Sequence, residues 1–173
     1  DAFDWDFQPE IDDNHVHKIG NRMRALHQKG MPEGLSIVRN SRFNPVPEHV
    51  HDYVEISYVY CGNAPQIVNG AQLTLAQNEV LLLDAACPHA IGELGEHDIM
   101  LSIVISRPML RRSLDQSLSS AGTVSRFLLN ALNDETDHRG HVHFRTGGSR
   151  RVRRYMQEML CELLEPTAAS PQI

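Results

Sequence analysis

No apolar run in this 173-residue chain approaches the roughly 20 residues that cross a bilayer. The first residues include Asp1, Asp4, Asp6 and Glu10, acidic where a secretory leader is basic. Both absences speak against a membrane or exported protein. Cysteine is scarce: Cys61, Cys87 and Cys161 are widely spaced in apolar stretches, and no CxxC pair occurs. An odd set of this kind fits reduced thiols in a cytoplasmic protein and argues against a disulfide framework or a thiolate zinc site. Positive charge is also short. Lys and Arg number 16 against 22 Asp and Glu, for a formal net charge of −6, whereas a protein held on DNA by phosphate contacts carries a clustered basic face. There is no glycine-rich phosphate loop, and the adjacency of Cys87 to Pro88-His89 does not establish an activated nucleophile.

What is present is an ordinary globular composition, 41% hydrophobic and 22% charged, in a length that suits one domain. Residues 1–34 read as an N-terminal arm with alternating Phe3, Trp5 and Phe7, followed by a short helix. Over 15–29, Val16, Ile19, Met23 and Leu26 share a helical stripe that Gly30 and Pro32 end. From 35 to 107 the chain turns to short strands over 35–43, 53–61, 66–68, 72–75, 79–83 and 98–106. Asn44-Pro45, Gly62-Asn63, Asn69-Gly70 and Cys87-Pro88 punctuate them. Asn69-Gly70 predicts a tight hairpin with both residues left-handed. Many short strands at this spacing predict a mainly β, antiparallel sandwich or barrel.

Residues 108–166 return to a helical period. Ser106 caps a helix carrying Leu110, Leu114 and Leu118, and Thr123 caps another with Val124, Phe127, Leu128 and Ala131 inward. A brief strand over 143–145 follows. Ser149 then opens a last helix whose apolar stripe is Val152, Tyr155, Met156, Met159, Leu160, Leu163 and Leu164, with Arg154 and Glu158 spaced to pair. Residues 167–173, rich in Ala, Ser and Pro, read as a linker. With no Met at position 1, the chain reads as part of a longer protein.

Chemistry concentrates at His49-Val50-His51-Asp52-Tyr53-Val54-Glu55. On a single strand, positions 49, 51 and 55 share parity and face one side. Two imidazoles and a carboxylate, with His89 as a fourth donor, suit a divalent metal such as Zn, Ni, Fe or Mn. The same four side chains can also line a polar pocket that hydrogen-bonds a ligand with no metal required. His141 and His143 lack a carboxylate at matching spacing and are read as a surface strand.

These residues resemble the cupin motifs. The first, G-x5-H-x-H-x3-E-x6-G, falls on Phe43, His49, His51, Glu55 and Gly62, with only the leading glycine replaced. The second, G-x5-P-x-G-x2-H-x3-N, falls on Asn78, Asp84, Ala86, His89 and Glu93, where only the histidine survives. Over roughly 35–165 the chain is similar to the N-terminal domain of AraC-type transcription regulators, through His-x-His-Asp-Tyr-x-Glu-Ile, the Asn-Gly hairpin, the run 79–83, Pro88-His89 and the closing helix. The resemblance implies a cupin (jelly-roll) antiparallel barrel followed by amphipathic helices, and no catalytic residues. It implies that a small-molecule effector, for instance a sugar, contacts His49, His51, Glu55 and His89. It further implies a homodimer through the C-terminal helices, and contact with DNA only through a helix-turn-helix domain after residue 173. The rival reading is a metal-dependent cupin enzyme, a dioxygenase or sugar isomerase, holding its metal on the same four residues. The eroded second motif argues against it.

Overall fold

Strand β6 (Asn63–Val68) shows how local pattern becomes architecture: Ala64, Gln66 and Val68 are buried while Asn63, Pro65 and Ile67 face out. Alternation of period two is what a half-covered strand requires. The computed structural model describes residues 10–11, 17–18, 34–114 and 122–164. Its other strands are β1 (Glu10–Ile11), β2 (His17–Lys18), β3 (Leu35–Arg39), β4 (Val46–Val50), β5 (Val54–Cys61), β7 (Ala71–Ala76), β8 (Val80–Leu83), β9 (His89–Ile91), β10 (Ile99–Ile105) and β11 (His141–Phe144). The helices are α1 (Arg107–Leu114), α2 (Thr123–Leu132) and α3 (Arg150–Leu164).

The strands form two sheets, ordered β1-β2-β4-β9-β6-β7 and β11-β8-β5-β10-β3. Pairing is antiparallel except for β2 against β4, where His17 stands beside His49. The face between the sheets buries Val59, Leu81, Leu83 and Met100 from one side and Ala64, Val68, Leu75 and Ile91 from the other. Residues of opposite parity on the second sheet, Ile37, Val54, Tyr58, Val80, Leu82 and Ile103, form a separate core against Leu110, Phe127, Ala131 and Leu160 of the helices. The fold is thus the expected jelly roll with a helical layer on one outer face.

Backbone geometry accounts for the glycines of the cupin pattern. Gly62 has φ of 74°, and the two positions where other residues replace glycine are also left-handed: Phe43 at 60° and Asn78 at 65°. Asn tolerates this region, whereas a bulky side chain there costs about 1–2 kcal/mol. The turn shapes therefore persist although two glycines are gone. Asn69 (φ 49°) and Gly70 (φ 75°) make the expected hairpin, with Val68 opposite Ala71.

Several expectations need correction. Of the helix expected over 15–29, His17 and Lys18 are strand; the rest lies outside the described residues. So do Phe3, Trp5, Phe7, Leu118 and 167–173. The short strand expected over 143–145 is β11 (His141–Phe144), an edge strand beside β8 with no fully buried residue. Ser106 and Ser149 do cap their helices, bonding the N–H groups of Met109 and Val152. Thr123 does not: the cap position is Gly122, without a side-chain bond. Val124 and Tyr155, expected inward, are exposed by 44% and 61%.

Candidate functional site

His49, His51 and Glu55 do not share a strand. β4 ends at Val50, the chain crosses from one sheet to the other, and β5 starts at Val54. His49 therefore comes from the first sheet, Glu55 from the second, and His51 from the crossing between them. β9 brings His89 in beside β4, directly opposite His49. All four are buried, none more than 5% exposed. Convergence here is a product of topology, with parity contributing only along each strand.

The ligand-bearing atoms of His51, Glu55 and His89 lie within 4.8 Å of one another. His51 Nε2 is 3.5 Å and His89 Nε2 3.8 Å from Glu55 Oε2, both beyond a well-formed hydrogen bond. His49 stands alongside this trio, its ring centroid 4.1 Å from that of His89 and 6.2 Å from that of His51. It is not a member of the trio. Tyr53 stacks on His51 at 4.0 Å with 11° between the planes, holding that ring in place.

Hydrogen bonding fixes which imidazole nitrogens are bare. His89 Nδ1 is 3.1 Å from the Cys87 carbonyl, and His49 Nδ1 is 2.9 Å from the Pro47 carbonyl. A carbonyl only accepts, so Nδ1 carries the hydrogen in each ring and Nε2 presents a lone pair. Burial, aided by the neighbouring imidazoles, keeps His49 neutral by lowering its pKa to about 3, and burial likewise lowers that of His89. Burial alone would raise Glu55. The nearby His51 ring, the His89 ring and the Ser102 hydroxyl outweigh it and hold the carboxyl below its ordinary range. Ser57 Oγ donates to Glu55 Oε1 at 2.9 Å, and Asn40 Nδ2 donates to Ser102 Oγ at 2.9 Å.

The result is a buried polar cluster around one carboxylate, in which the neutral His51 ring offers one N–H and one lone pair and His89 Nε2 a lone pair. His51 Nδ1 and Nε2, His89 Nε2 and Gln66 Oε1 are buried without a hydrogen-bond partner. Buried polar atoms in this condition cost about 1–3 kcal/mol each. Their donor chemistry, imidazole nitrogen and carboxylate oxygen, fits a divalent metal ion, with His51, Glu55 and His89 as the residues that would hold it. The same arrangement fits an organic ligand rich in hydroxyl or N–H groups.

A second network sets the loop that delivers His89. Asp84 N–H donates to the Gly140 carbonyl at 3.0 Å, Ala86 N–H to the His138 carbonyl at 2.9 Å, and Asn69 N–H to the Pro88 carbonyl at 2.8 Å. Asp84 Oδ2 lies 3.2 Å from His138 Nδ1, and His138 has φ of 52°. The loop after α2 is thus stitched to the loop before His89. Sequence reasoning missed Asp84 as a structural anchor, and it missed Ser57, Ser102 and Gln66 inside the barrel. A signal existed for Ser57, which shares parity with Glu55. His141 and His143 join no metal-type group; among the described residues the trio is the only one. His143 Nε2 pairs with Glu79 Oε2 at 2.9 Å. A groove of about 430 Å³ at the first sheet, lined by Pro45, Pro65, Gln66, Ile67, Thr74 and Ile91 among others, includes none of the four site residues.

No curated protein sequence matches the chain. Among solved structures, ToxT from Vibrio cholerae O395 superposes with a TM-score of 0.50 at 14% identity, over 76% of this chain and 48% of its own. This chain thus spans about half of ToxT. KdgF from Halomonas sp. gives 0.40 at 17% identity, over 43% of this chain and 72% of its own. A predicted oxalate decarboxylase from Thermotoga maritima gives 0.36 at 23%, over 42% and 64%. Likeness at such identity concerns the fold alone. A family model described as the AraC-like ligand binding domain matches residues 38–136, more than half the chain and all four site residues. The chain belongs to the AraC-like ligand-binding domain family.

Proposed function

We propose that this chain is the effector-sensing unit of a transcription regulator, and that a small polyhydroxylated metabolite, a sugar, binds inside the barrel at His51, Glu55 and His89 with His49 at its side. One observation carries the reading: three imidazole nitrogens of His51 and His89 are buried beside Glu55 with no bonding partner. Sugar hydroxyls both donate and accept, and so match imidazole lone pairs, the one His51 N–H and a carboxylate. A divalent ion held by His51, Glu55 and His89 would supply Lewis-acid polarisation of a ligand oxygen. The protein's own residues orient the ligand: Ser57 and Ser102 fix the carboxylate, and Tyr53 fixes the His51 ring.

The helical layer is the output side in this reading. The loop after α2 is bonded to the loop before His89, so a ligand that favours one arrangement of that loop biases the position of α2. Such coupling requires unequal affinity for two states. Val124, Leu129 and Tyr155 are exposed apolar side chains on α2 and α3 and support pairing of two copies there. DNA contact belongs to a part outside this chain. The free thiols of Cys61, Cys87 and Cys161 support a cytoplasmic setting; no described helix is long and apolar enough to cross a membrane.

A second reading, a metal-dependent cupin enzyme, is favoured by the closeness of His51, Glu55 and His89. Thermal denaturation with a panel of pentoses, hexoses and uronic acids separates the two when run beside metal loading. A sugar that raises Tm in the wild type but not in Glu55→Gln supports the sensor. Turnover of a sugar or an organic acid by the metal-loaded protein would replace it with the enzyme.

A further inference from the structure

Gln66 is the odd residue of the barrel interior. It is 3% exposed, it points inward between Ala64 and Val68, and its neighbours there include Met100 and Ile91. Its amide nitrogen reaches only the Met100 sulfur, at 3.5 Å, a weak acceptor. Its carbonyl oxygen has no partner. Leu or Met would fill the same volume with no polar cost, so the amide serves no purpose in packing. β9 relates it to the site: Val68 stands opposite His89 and Gln66 opposite Ile91, two residues further on. Gln66 therefore lies on the same inner wall, about 7 Å along the strand direction from His89.

We infer that Gln66 is a specificity-determining residue, whose carbonyl oxygen accepts a hydrogen bond from a hydroxyl or N–H of the effector at a second point beyond the His51–Glu55–His89 cluster. This rests on the barrel-interior reading above and narrows it. The ligand carries one group that meets the cluster and a donor about 7 Å away, the reach of a five- or six-carbon polyol. The opposing sheet faces this wall with buried Leu81, Leu83 and Met100, so the ligand presents C–H surface to that side, as one face of a pyranose does.

The test uses Gln66→Met and Gln66→Leu in the whole chain. Without ligand, both variants are expected to melt higher than the wild type, by roughly 3 °C or more, because an unsatisfied buried acceptor has been removed. An unchanged or lower Tm in both variants would mean the amide is structural and would overturn the proposal. In a second arm, the pentose and hexose panel is titrated against wild type and Gln66→Met. A sugar that binds the wild type is expected to bind the variant about tenfold more weakly, the loss of one hydrogen bond. Equal binding overturns the proposal even if Tm rises. If no sugar binds the wild type, the sugar reading fails by itself and the ligand-free Tm decides Gln66. Zn²⁺ binding, followed by calorimetry, is expected to be unchanged in Gln66→Met and lost in Glu55→Gln, so a general collapse of the barrel is distinguishable from loss of the second contact.

Discussion

The second sheet has two faces, and they are built on opposite terms. Its outer face sets Val54, Tyr58, Leu82 and Ile103 against Leu110, Phe127 and Leu160 in an apolar core. Its inner face alternates Glu55 and Ser57 with Val59, and Ser102 with Met100, opposite His49, His89 and Gln66. One β-strand, β5, contributes to both, residue by residue. The outer face maximises buried apolar area, worth about 25 cal/mol per Å². The inner face gives up part of that stabilisation to keep polar atoms in place without partners. A fold that carries such a liability needs its other core intact, and the helical layer provides it.

That contrast breaks first in the outer core. Ile103→Ala is expected to lower unfolding stability by about 2–5 kcal/mol in urea titrations, because Ile103 is 1% exposed among packed neighbours. Gly62→Ala should come next, at roughly 1–3 kcal/mol. A left-handed backbone and a collision of the new methyl with the Asp98 carboxylate both oppose it. A Gly62→Ala variant as stable as wild type would show that the turn is softer than its geometry.

Phe43→Gly acts in the other direction. Relief of the left-handed strain outweighs the entropy of glycine, and stability should rise by about 0.5–1 kcal/mol. Since Phe43 is 61% exposed, little packing is lost. The smallest effect is electrostatic and lies outside both cores. Hydrogen bonds from the N–H groups of Asn63 and Gly95 hold Asp98 below the ordinary aspartate value of 3.8. A carboxyl whose folded pKa is depressed stabilises the fold above its unfolded value, and that contribution disappears as pH falls through the folded one. Asp98→Ala should therefore flatten the acid limb of a Tm-against-pH curve below 3.8, leaving the slope above neutrality unchanged.

Most strands from 35 to 106 were legible because period-two alternation, Gly-Asn punctuation and the Asn69-Gly70 turn act locally. However, β4 (Val46–Val50) and β9 (His89–Ile91), which carry His49 and His89, were not expected. The site residues were legible as types, since His49, His51, Glu55 and His89 keep the cupin spacing, but not as an arrangement. Shared parity on one strand was the wrong geometry; the convergence depends on the chain changing sheets at residues 51–53, a tertiary event. Gln66 and Ser102 were invisible for a related reason. A single polar residue in an apolar strand looks like a solvent-facing position until the opposing sheet is in place. Tyr155 misled in the reverse sense, having the helical spacing of the stripe but standing at its edge. The helix expected at 15–29 rested on a stripe interrupted by Gly20, and His17 and Lys18 join a sheet edge instead.

The central claim, that the inner face is built to bind and the outer to hold, is tested most directly by NMR of ¹⁵N-labelled histidine side chains. Zn²⁺ and then the stabilising sugar from the panel are titrated separately into the protein. The account predicts that the ring nitrogens of His51 and His89 shift with either ligand while those of His141 and His143, on β11, stay in place. Shifts confined to His141 and His143, or none at His51 and His89 when a ligand is bound, would contradict it.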